Sequence, residues 1–462
     1  MDKKRFFAVL SVLMILSFVL TACGGATPTA APEAATESSQ PEAEPEATEA
    51  PAEAEAEPAG EEAAPAEEPV TIRFQDWRLA EEPAATALKY LITEFEASHP
   101  NIKVALEPVS NAERVDKFNN QFRAGDPPDV VRFNLTEIPT EVAMGALLPL
   151  DSYIEQAGGD EFLGDFTQYM TDVATVDGQV YAIPHEGDAF VLFLNKGMWE
   201  AAGLDPVNNP PSDMEALKAA NLALTDAAAN QYAFGMWPGW QWMQTWFTAY
   251  GADYFNTDYS DTLIDTPEGI AAFTYYTDLV TTDKVVPPGV TEVDYGGQVA
   301  LMAQEQVAYI EGPYATYGGI LAANPELDGN LVVIPIPGKT IGRGTHFAIG
   351  NGSQHPDEAW QLIEFLSQPE NQLKFFVEGS MMPTRQSALA MIDFDKYPAA
   401  KVMVEQAIPN AISYYPAFPA WNKCSTVIQD ALTSTLLGET EPEAAMKDAA
   451  TQIRAILAEE SE

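Results

Sequence analysis

Apolar residues in the chain from Val70 onward follow two alternating periods. One recurs every second residue, as in a β-strand, and the other recurs every third or fourth residue, as on one face of a helix. Strand period is seen at Val70, Ile72 and Phe74, at Ile102, Val104 and Leu106, and in the run DVVRF at 129–133, while helical period is seen at Leu88, Leu91, Ile92 and Phe95 and at Val115, Phe118 and Phe122. This order predicts right-handed crossovers and a largely parallel α/β sheet. Gly125 is predicted to end the second helix as its C-cap.

The residues that directly follow the predicted strands are candidates for a binding site. In parallel α/β sheets, ligands bind beyond the carboxyl ends of the strands. Asp76, Trp77 and Arg78 follow the first strand, and Phe133 and Asn134 close the third. These side chains are therefore expected to lie near a ligand.

The second half of the chain is predicted to be mainly helical. Helical faces are Ala359, Leu362, Ile363 and Leu366, then Trp421, Cys424, Ile428 and Leu432, then Met446, Ala449, Ile453 and Leu457. The run LVVIPIPG at 331–338 is typical of a strand that leaves through a proline-stiffened turn. Cys424 is predicted to lie on a core face.

The first residues have the pattern of an export signal. Lys3, Lys4 and Arg5 precede an uncharged apolar run, Phe6–Leu20, which is too short for a typical transmembrane helix. The run ends in LTAC, which resembles the lipobox of bacterial lipoproteins, so Cys23 is expected to be lipidated. The alternative is an ordinary secretory signal with a chance cysteine. A lipidated Cys23 would leave Cys424 without a partner for a disulfide.

An acidic, proline-rich segment follows the signal. It contains neither aromatic nor basic residues, so it is predicted to be a disordered tether. The expected organisation is a signal peptide at 1–22, lipidated cysteine and tether at 23–69, and a folded domain at 70–462. A domain of this size is expected to have two lobes.

The acidity is not confined to the tether. The net charge of the chain is −46, and removing the 13 tether glutamates and the +2 of the signal leaves −35 for the domain. A negative field of this size argues against nucleic acid or an anionic membrane as partners. It does not identify a ligand, because a solvated acidic surface explains it equally well.

Several stretches resemble, in order, the extracellular solute-binding proteins of the sugar type, the lipid-anchored receptors of ABC importers. They include FEASHPNIKV, FRAGDPPDVV, GALLPLDSYI, GQVYAIPHEGDAFVLFLNKGMWEAAGLDP, VAYIEGPYATYG, AWQLIEFLSQPENQLKFFVEGSMMPTR and WNKCSTVIQDALTSTLLGETEPEAAMKDAATQIRAIL. The resemblance covers nearly all of residues 70–457. It implies a class II periplasmic-binding-protein-like fold, with a ligand cleft between two α/β lobes joined by hinge strands.

The same resemblance implies lobe boundaries and partners. The chain would cross between lobes near Ala182–Asp188, near Phe347–Gly352, and ahead of the helix containing Trp421. Lobe one would comprise about 70–184 and 349–401, and lobe two about 190–346 and 405–462. The implied partners are a small carbohydrate ligand and ABC permease subunits. A monomer is expected, held outside the cytoplasm on the cell membrane by its lipid alone, without cofactor or catalytic activity.

Sugars are recognised by aromatic rings and planar polar groups together. Their C–H faces stack on rings, and their hydroxyls bond to carboxylates, amides and guanidinium groups. The candidate ligand-binding residues are Trp77, Arg78, Arg132, Asn134, Glu186, Asp188, Trp237, Trp240, Tyr314 and Trp421. Trp77 and Trp421 are alternatively core residues, and Arg132 and Glu186 are alternatively salt-bridge partners between lobes. Asn195 is expected to fix a strand-to-helix turn.

Half of the eight tryptophans lie in GMWPGWQWMQTWF at 235–247. Pro238-Gly239 predicts a turn, and a helix should run from about Trp240 to about Tyr250. Met243, Phe247 and Tyr250 are expected to face the core. Trp246 is expected to pack inside, Trp242 to be half-buried, and Trp240 to be the stacking residue, with Trp237 or Trp242 as possible additional contacts.

Other functions remain open from the sequence. A surface glycoside hydrolase would need two carboxylates, but with 69 acidic residues such pairs arise by chance. Alternative cargoes are a glycerophosphodiester, a polyamine, or ferric iron bound by Tyr275-Tyr276 or Tyr414-Tyr415. The acidic stretch Asp253–Asp265 is a weak calcium candidate and is better interpreted as a surface hairpin.

Overall fold

The computed structural model describes residues 69–413, 418 and 420–460. The signal segment, Cys23, nearly all of the tether and Tyr414-Tyr415 lie outside this range, so the predictions made for them stay predictions. Twelve strands are described: β1 Val70–Asp76, β2 Ile102–Pro108, β3 Val130–Asn134, β4 Thr175–Val176, β5 Gln179–Val180, β6 Ala182–Ala189, β7 Val191–Asn195, β8 Tyr232–Phe234, β9 Val307–Gly312, β10 Leu331–Pro335, β11 Thr340–Ile349 and β12 Ala411–Ser413.

Helices connect these strands and cover both sheets. The α-helices are Ala84–Ser98, Arg114–Arg123, Ile138–Ala143, Asp151–Ala157, Asp160–Gly164, Gln168–Ala174, Lys196–Ala201, Met214–Leu224, Trp240–Ala249, Pro267–Thr281, Tyr295–Ala303, Ala315–Ala323, Pro356–Leu366, Pro369–Gly379, Gln386–Leu389, Pro398–Val402, Trp421–Leu436 and Pro442–Glu460. Short 3-10 turns lie at Trp77–Ala80, Ala227–Ala229, Val290–Glu292, Pro325–Leu327 and Ile408–Asn410, and a π-helical turn lies at Met403–Ala407.

The first sheet has the order β12-β11-β3-β1-β2, with β6 paired to β11. β1 is parallel to both β2 and β3, as predicted for a strand–helix–strand–helix–strand chain. β11 is antiparallel to β3 and β6. Gly125, at φ +76°, follows the helix Arg114–Arg123, which confirms the predicted helix end. Because β1 and β3 are neighbours and parallel, the residues after them meet at one sheet edge.

The second sheet has the order β10-β7-β9-β8. β7 is antiparallel to β9 and β10, whereas β8 and β9 are parallel. The chain passes from the first sheet to the second at Phe190, between β6 and β7, and returns through residues 336–339, between β10 and β11. These two links lie side by side, since Phe190 N–H donates to the Ile341 carbonyl at 3.0 Å and Thr340 Oγ1 donates to the Phe190 carbonyl at 2.8 Å.

Among the described residues, the two largest apolar cores lie one on each sheet, and a smaller cluster around Phe118 and Phe133 packs on the first sheet. One core joins β1 to the helices Ala84–Ser98 and Pro356–Leu366, and the other joins the second sheet to the helices Trp240–Ala249, Pro267–Thr281, Trp421–Leu436 and Pro442–Glu460. Cys424 is fully buried in the second core, as its helical spacing predicted. Within the described part of the chain, the helices lack the combination of length and apolarity needed to cross a bilayer.

Two local predictions also hold. Asn195 Oδ1 accepts from the backbone N–H of Met198 at 3.2 Å and so caps the helix Lys196–Ala201, as expected for a residue that fixes this turn. Phe255 and Thr262 form an antiparallel bridge, which gives the stretch Asp253–Asp265 the predicted hairpin form.

Candidate functional site

A cleft of about 790 Å3 lies between elements of the first sheet and elements packed on the second core. One wall of the cleft belongs to the first sheet and consists of residues around the start of helix Arg114–Arg123 and residues after β3. The other wall belongs to the second sheet's side and consists of the starts of helices Trp240–Ala249 and Trp421–Leu436. The lining residues are Asn111, Ala112, Arg114, Val115, Asp116, Asn134, Thr136, Glu137, Thr140, Glu141, Trp240, Gln241, Phe418, Trp421 and Asn422. A smaller cavity of about 200 Å3 shares Asn111, Asn134, Thr136 and Gln241 with it.

Two tryptophans form the aromatic part of the cleft. The rings of Trp240 and Trp421 lie edge to face, with centroids 4.8 Å apart and planes at 82°. Both side chains are half-buried. Trp240 is the first residue of its helix, as predicted, and Trp421 is the first residue of another. The geometry places two aromatic rings from separate helices at one edge of the cavity.

The polar part of the cleft comes mainly from the first-sheet side. Arg114 forms an ion pair with Glu137 and also bonds to Asn111, and its guanidinium lies over the ring of Trp77 at 4.6 Å. Asn134 donates to the same carboxylate twice, from its backbone N–H to Glu137 Oε2 at 2.9 Å and from its Nδ2 to Glu137 Oε1 at 3.3 Å. Burial raises the pKa of Glu137 above its ordinary value, and Arg114 opposes that shift.

Glu141 is the most perturbed carboxyl on the cleft lining. It is 1% exposed, and its Oε1 accepts from Asn119 Nδ2 at 3.3 Å. Its Oε2 has no hydrogen-bond partner among the described residues. Burial raises the pKa of Glu141 to about 7.

Three other predicted ligand-binding residues, Arg78, Arg132 and Glu186, form a charge network with Asp76 beside the cleft. Arg132 is 1% exposed and donates to Asp76 at 2.7 Å, to Glu186 at 3.3 Å and to Thr345 at 2.6 Å. Arg78 donates to Glu186 at 2.5 Å and 3.2 Å. Burial acts to raise the pKa of Glu186, but Arg78 and Arg132 hold it down at about 2. The network ties the ends of β1 and β3 to the strands β6 and β11.

Arg78, Glu186 and Asp188 line a cavity of about 10 Å3, roughly the space of one water. Asp188 Oδ2 accepts from the backbone N–H of Tyr314 at 2.9 Å, and its Oδ1 lies 3.8 Å from Arg343 Nε. Burial raises the pKa of Asp188 to about 6, against the charge of Arg343. Asp188 therefore links strand β6 to the start of helix Ala315–Ala323.

The remaining predicted site residues are packed away from the large cleft. Trp77 is 1% exposed beneath Arg114. Trp237 is half-buried with its ring 3.9 Å from that of Trp242, and Tyr314 is buried with its ring 5.5 Å from that of Phe376. The structure thus brings Asn134, Trp240 and Trp421 together on the cleft, and it places the other seven behind it or at the strand crossing. Their contact with a ligand stays a prediction.

The other tryptophans of the cluster separate as follows. Trp246 is fully buried and its Nε1 donates to Glu311 Oε1 at 3.0 Å, so its predicted packing role is confirmed. Trp242, expected to be half-buried, is 8% exposed because its ring packs against Phe190 at 5.2 Å, although it borders the smaller cavity. Met243 and Phe247 are fully buried as predicted, whereas Tyr250 at the helix end is half-buried.

The sequence analysis did not predict most of the polar residues that line the cleft, which are Asn111, Arg114, Glu137, Glu141 and Gln241. Asn111 and Arg114 follow β2, which ends at Pro108. The rule that placed candidates after β1 and β3 applies equally to β2, so a signal for this loop existed. Glu137 lies three residues after β3, so the same rule covered it as well. Glu141 and Gln241 carry no comparable sequence signal, because their position depends on how the helices pack.

Neither alternative metal site gathers ligands in the described residues. Tyr275 and Tyr276 lie on helix Pro267–Thr281, are 6% and 0% exposed, and pack in the apolar core of the second sheet. Across the described residues, no group of three or more His, Cys, Asp or Glu is placed to hold a metal ion. Asp258 instead accepts from the neighbouring Ser260 N–H and hydroxyl at 3.1 and 2.7 Å, within the hairpin.

Comparison with known proteins agrees with this architecture. The family model for bacterial extracellular solute-binding proteins matches residues 80–373. A binding protein of Brucella abortus (strain 2308) is 28% identical over 375 residues, which cover 79% of this chain and 88% of the relative. The sn-glycerol-3-phosphate-binding periplasmic protein of Rhizobium meliloti (strain 1021) is 24% identical over 324 residues, covering 65% of this chain and 72% of the relative.

A solved structure shows the same fold. The ABC transporter solute-binding protein of Thermotoga lettingae TMO, bound with alpha-D-tagatose, matches with a TM-score of 0.72 at 27% identity, over 84% of this chain and 100% of that chain. The two-lobed α/β fold predicted from the sequence is therefore confirmed. The chain belongs to the bacterial extracellular solute-binding protein family, the receptors that bind small ligands for ABC importers.

Proposed function

We propose that this receptor binds a carbohydrate, most simply an oligosaccharide, in the cleft of about 790 Å3 and delivers it to an ABC importer. The observation that carries the proposal is the pair of half-buried rings, Trp240 and Trp421, on a cleft whose other lining is largely polar. Aromatic rings stack on the C–H faces of sugars, and polar side chains bond to the hydroxyls.

The size and lining of the cleft suit a ligand larger than one sugar ring. Ligand pockets in proteins usually enclose roughly 300–1,000 Å3. Asn111, Asn134 and Asn422 supply amides, and Glu137 supplies a carboxylate. Trp240 and Trp421 are proposed to stack on the ligand, and Asn134 to bond with a hydroxyl. The network of Asp76, Arg78, Arg132 and Glu186 is proposed to support the site from behind.

A glycerophosphodiester is the second candidate cargo, because one relative is named for sn-glycerol-3-phosphate binding. The charge of the cleft disfavours it. Arg114 is the cation among the described lining residues, and it is already paired with Glu137. Asp116 adds negative charge on the same lining, and Glu141 adds a second when it is ionised. An anionic ligand would meet an uncompensated acidic surface.

Export and anchoring are part of the same proposal. The signal pattern at 1–22, Cys23 and the tether at 23–69 would hold the receptor outside the cytoplasm by a lipid, close to its permease. The lobe boundaries expected from the sequence, about 70–184 with 349–401 and about 190–346 with 405–462, are proposed together with it. Cargo delivery without chemistry predicts that oligosaccharides are recovered unchanged after incubation with the protein.

A ligand screen tests the proposal. Melting should rise with a subset of mono- and oligosaccharides, since a ligand at 100 times its dissociation constant adds about 2.7 kcal/mol. Trp240→Ala and Trp421→Ala should each weaken binding of that sugar by about 1 kcal/mol or more, measured by calorimetry. Tyr90→Ala, which removes an exposed ring on helix Ala84–Ser98, is the matched control and should bind normally. A melting shift only with glycerophosphodiesters, polyamines or a metal would show that the carbohydrate assignment is wrong.

A further inference from the structure

One glutamine joins the two helices that carry the paired tryptophans. Gln429 lies two turns into helix Trp421–Leu436, and its Oε1 accepts a hydrogen bond from the backbone N–H of Trp240 at 3.0 Å. Nε2 of the same amide donates to the carbonyl of Pro238 at 3.1 Å. The side chain is therefore hydrogen-bonded to the backbone on both sides of Gly239.

This contact replaces a cap that the helix itself lacks. Gly239 is the N-cap residue of helix Trp240–Ala249 and has no side chain to accept from the first turn. The first N–H groups of a helix have no intrahelical partner and need one from elsewhere. For Trp240 that partner is Gln429, supplied by the helix that begins with Trp421.

Two tyrosines complete the support of this short segment. Tyr254 donates its hydroxyl hydrogen to the Trp240 carbonyl at 2.7 Å, and Tyr276 donates to the Trp237 carbonyl at 3.2 Å. Thr433 Oγ1 accepts from Gln429 Nε2 at 3.3 Å and steadies the amide. Gln429 and Thr433 both belong to the helix of Trp421, and of the two it is Gln429 that bonds to the backbone at Trp240 and Pro238, so it connects the backbone of one ring to the helix of the other.

We propose that Gln429 is a positioning residue that fixes the edge-to-face geometry of Trp240 and Trp421 before the ligand arrives. The inference rests on the proposed carbohydrate site. A preformed aromatic surface does not have to be ordered on binding, and this raises affinity. Loss of both hydrogen bonds would let the start of helix Trp240–Ala249 fray and release the Trp240 ring.

The test uses the full chain and one matched set of variants. Gln429→Met keeps the length of the side chain and removes both bonds, and Gln429→Glu keeps an acceptor for the Trp240 N–H but loses the donor to Pro238. Gln452→Met makes the same change at an exposed position on helix Pro442–Glu460 and is the control. Far-UV circular dichroism checks folding.

Two readouts separate positioning from binding. The first is the near-UV circular dichroism of the ligand-free protein, where closely coupled indoles contribute, with Trp240→Phe as the reference for a disrupted pair. The second is the dissociation constant for the best sugar of the screen. Gln429→Met should approach the Trp240→Phe spectrum and bind about tenfold more weakly, because two hydrogen bonds of ordinary net strength are lost. Gln429→Glu should fall between wild type and Gln429→Met, and Gln452→Met should match wild type.

Each alternative outcome has a definite meaning. A wild-type spectrum or wild-type affinity in Gln429→Met would overturn the positioning role. If wild type binds no carbohydrate while Gln429→Met still loses the near-UV signal, the carbohydrate assignment fails and the positioning role stands. If Gln429→Met does not fold, Gln429→Glu decides: a wild-type spectrum and affinity in that variant overturn the role, and intermediate values support it.

Discussion

Glu141 shows how one side chain couples the cleft to pH. Its carboxyl is buried on the cleft lining with a single neutral donor, Asn119, and the charges of Glu137 and Arg123 act on it in opposite directions. Burial favours the protonated form and outweighs the opposing charge of Arg123, which is why the pKa is raised to about 7. In the unfolded chain the same group releases its proton near its ordinary value of 4.5.

The sign of the resulting pH dependence follows from proton counting. Between pH 4.5 and 7 the folded protein holds this proton and the unfolded chain does not, so the contribution of Glu141 to the free energy of unfolding falls as pH rises through that window. Glu141→Gln removes the titration. We expect the variant to be more stable than wild type at pH 8 by about 1–3 kcal/mol, and much closer to it at pH 4.5.

Urea denaturation at the two pH values measures this difference. Glu155→Gln makes the same change at an exposed position of helix Asp151–Ala157 and should follow wild type at both. Equal pH slopes for Glu141→Gln and wild type would show that Glu141 is not protonated in the folded protein at neutral pH.

At the scale of elements, the crossing strands are fixed by a buried charge network. Glu186 on β6 lies between Arg78, which follows β1, and Arg132 on β3. Two cations hold its pKa at about 2 despite burial. Removing one member of a buried ion network leaves uncompensated charge, which is far more costly than losing a surface pair.

Glu186→Gln should therefore reduce the free energy of unfolding by about 3 kcal/mol at pH 7. The contribution of Glu186 is present above pH 4.5 and is lost as pH falls toward 2, so wild type should lose more stability than the variant over that range. Glu443→Gln breaks the exposed pair of Glu443 with Lys447 and should leave the free energy of unfolding close to that of wild type in the same denaturation experiment. A similar small cost for both variants would contradict the role of the network.

Helices and strands could be predicted where the apolar periodicity and the turn residues agree. The strands β1 to β3, the helix start at Trp240 and the burial of Trp246 and Cys424 followed from spacing and from the Pro238-Gly239 turn. The spacing of residues does not show which buried charges form ion pairs. The sequence therefore predicts ligand contact and salt-bridge formation equally for Arg132 and Glu186. The position of Glu141 on the cleft lining depends on how neighbouring elements place the six-residue helix Ile138–Ala143. Such packing cannot be predicted from a local sequence pattern.

At the scale of the whole molecule, the two sheets are joined by two short links. Phe190 alone separates β6 from β7, and four residues separate β10 from β11. Phe190 is hydrogen-bonded to Thr340 and Ile341, the first two residues of β11, so the two links lie side by side. Paired short links allow rotation of one half against the other about a common axis, as in hinge closure around a ligand. The cleft takes its walls from both halves, so closure would enclose a bound sugar.

We therefore expect the radius of gyration, measured by small-angle X-ray scattering, to decrease when the best sugar of the screen is added at saturating concentration. A ligand that contacts both walls stabilises the closed arrangement over the open one, and only this difference in affinity can shift the population. Trp240→Ala at the same sugar concentration should remain closer to the ligand-free value, because one wall has lost its main contact. Tyr90→Ala should close like wild type. If calorimetry detects binding while the radius of gyration stays unchanged, the ligand occupies the cleft without closing it, and selectivity then depends on the preformed walls alone.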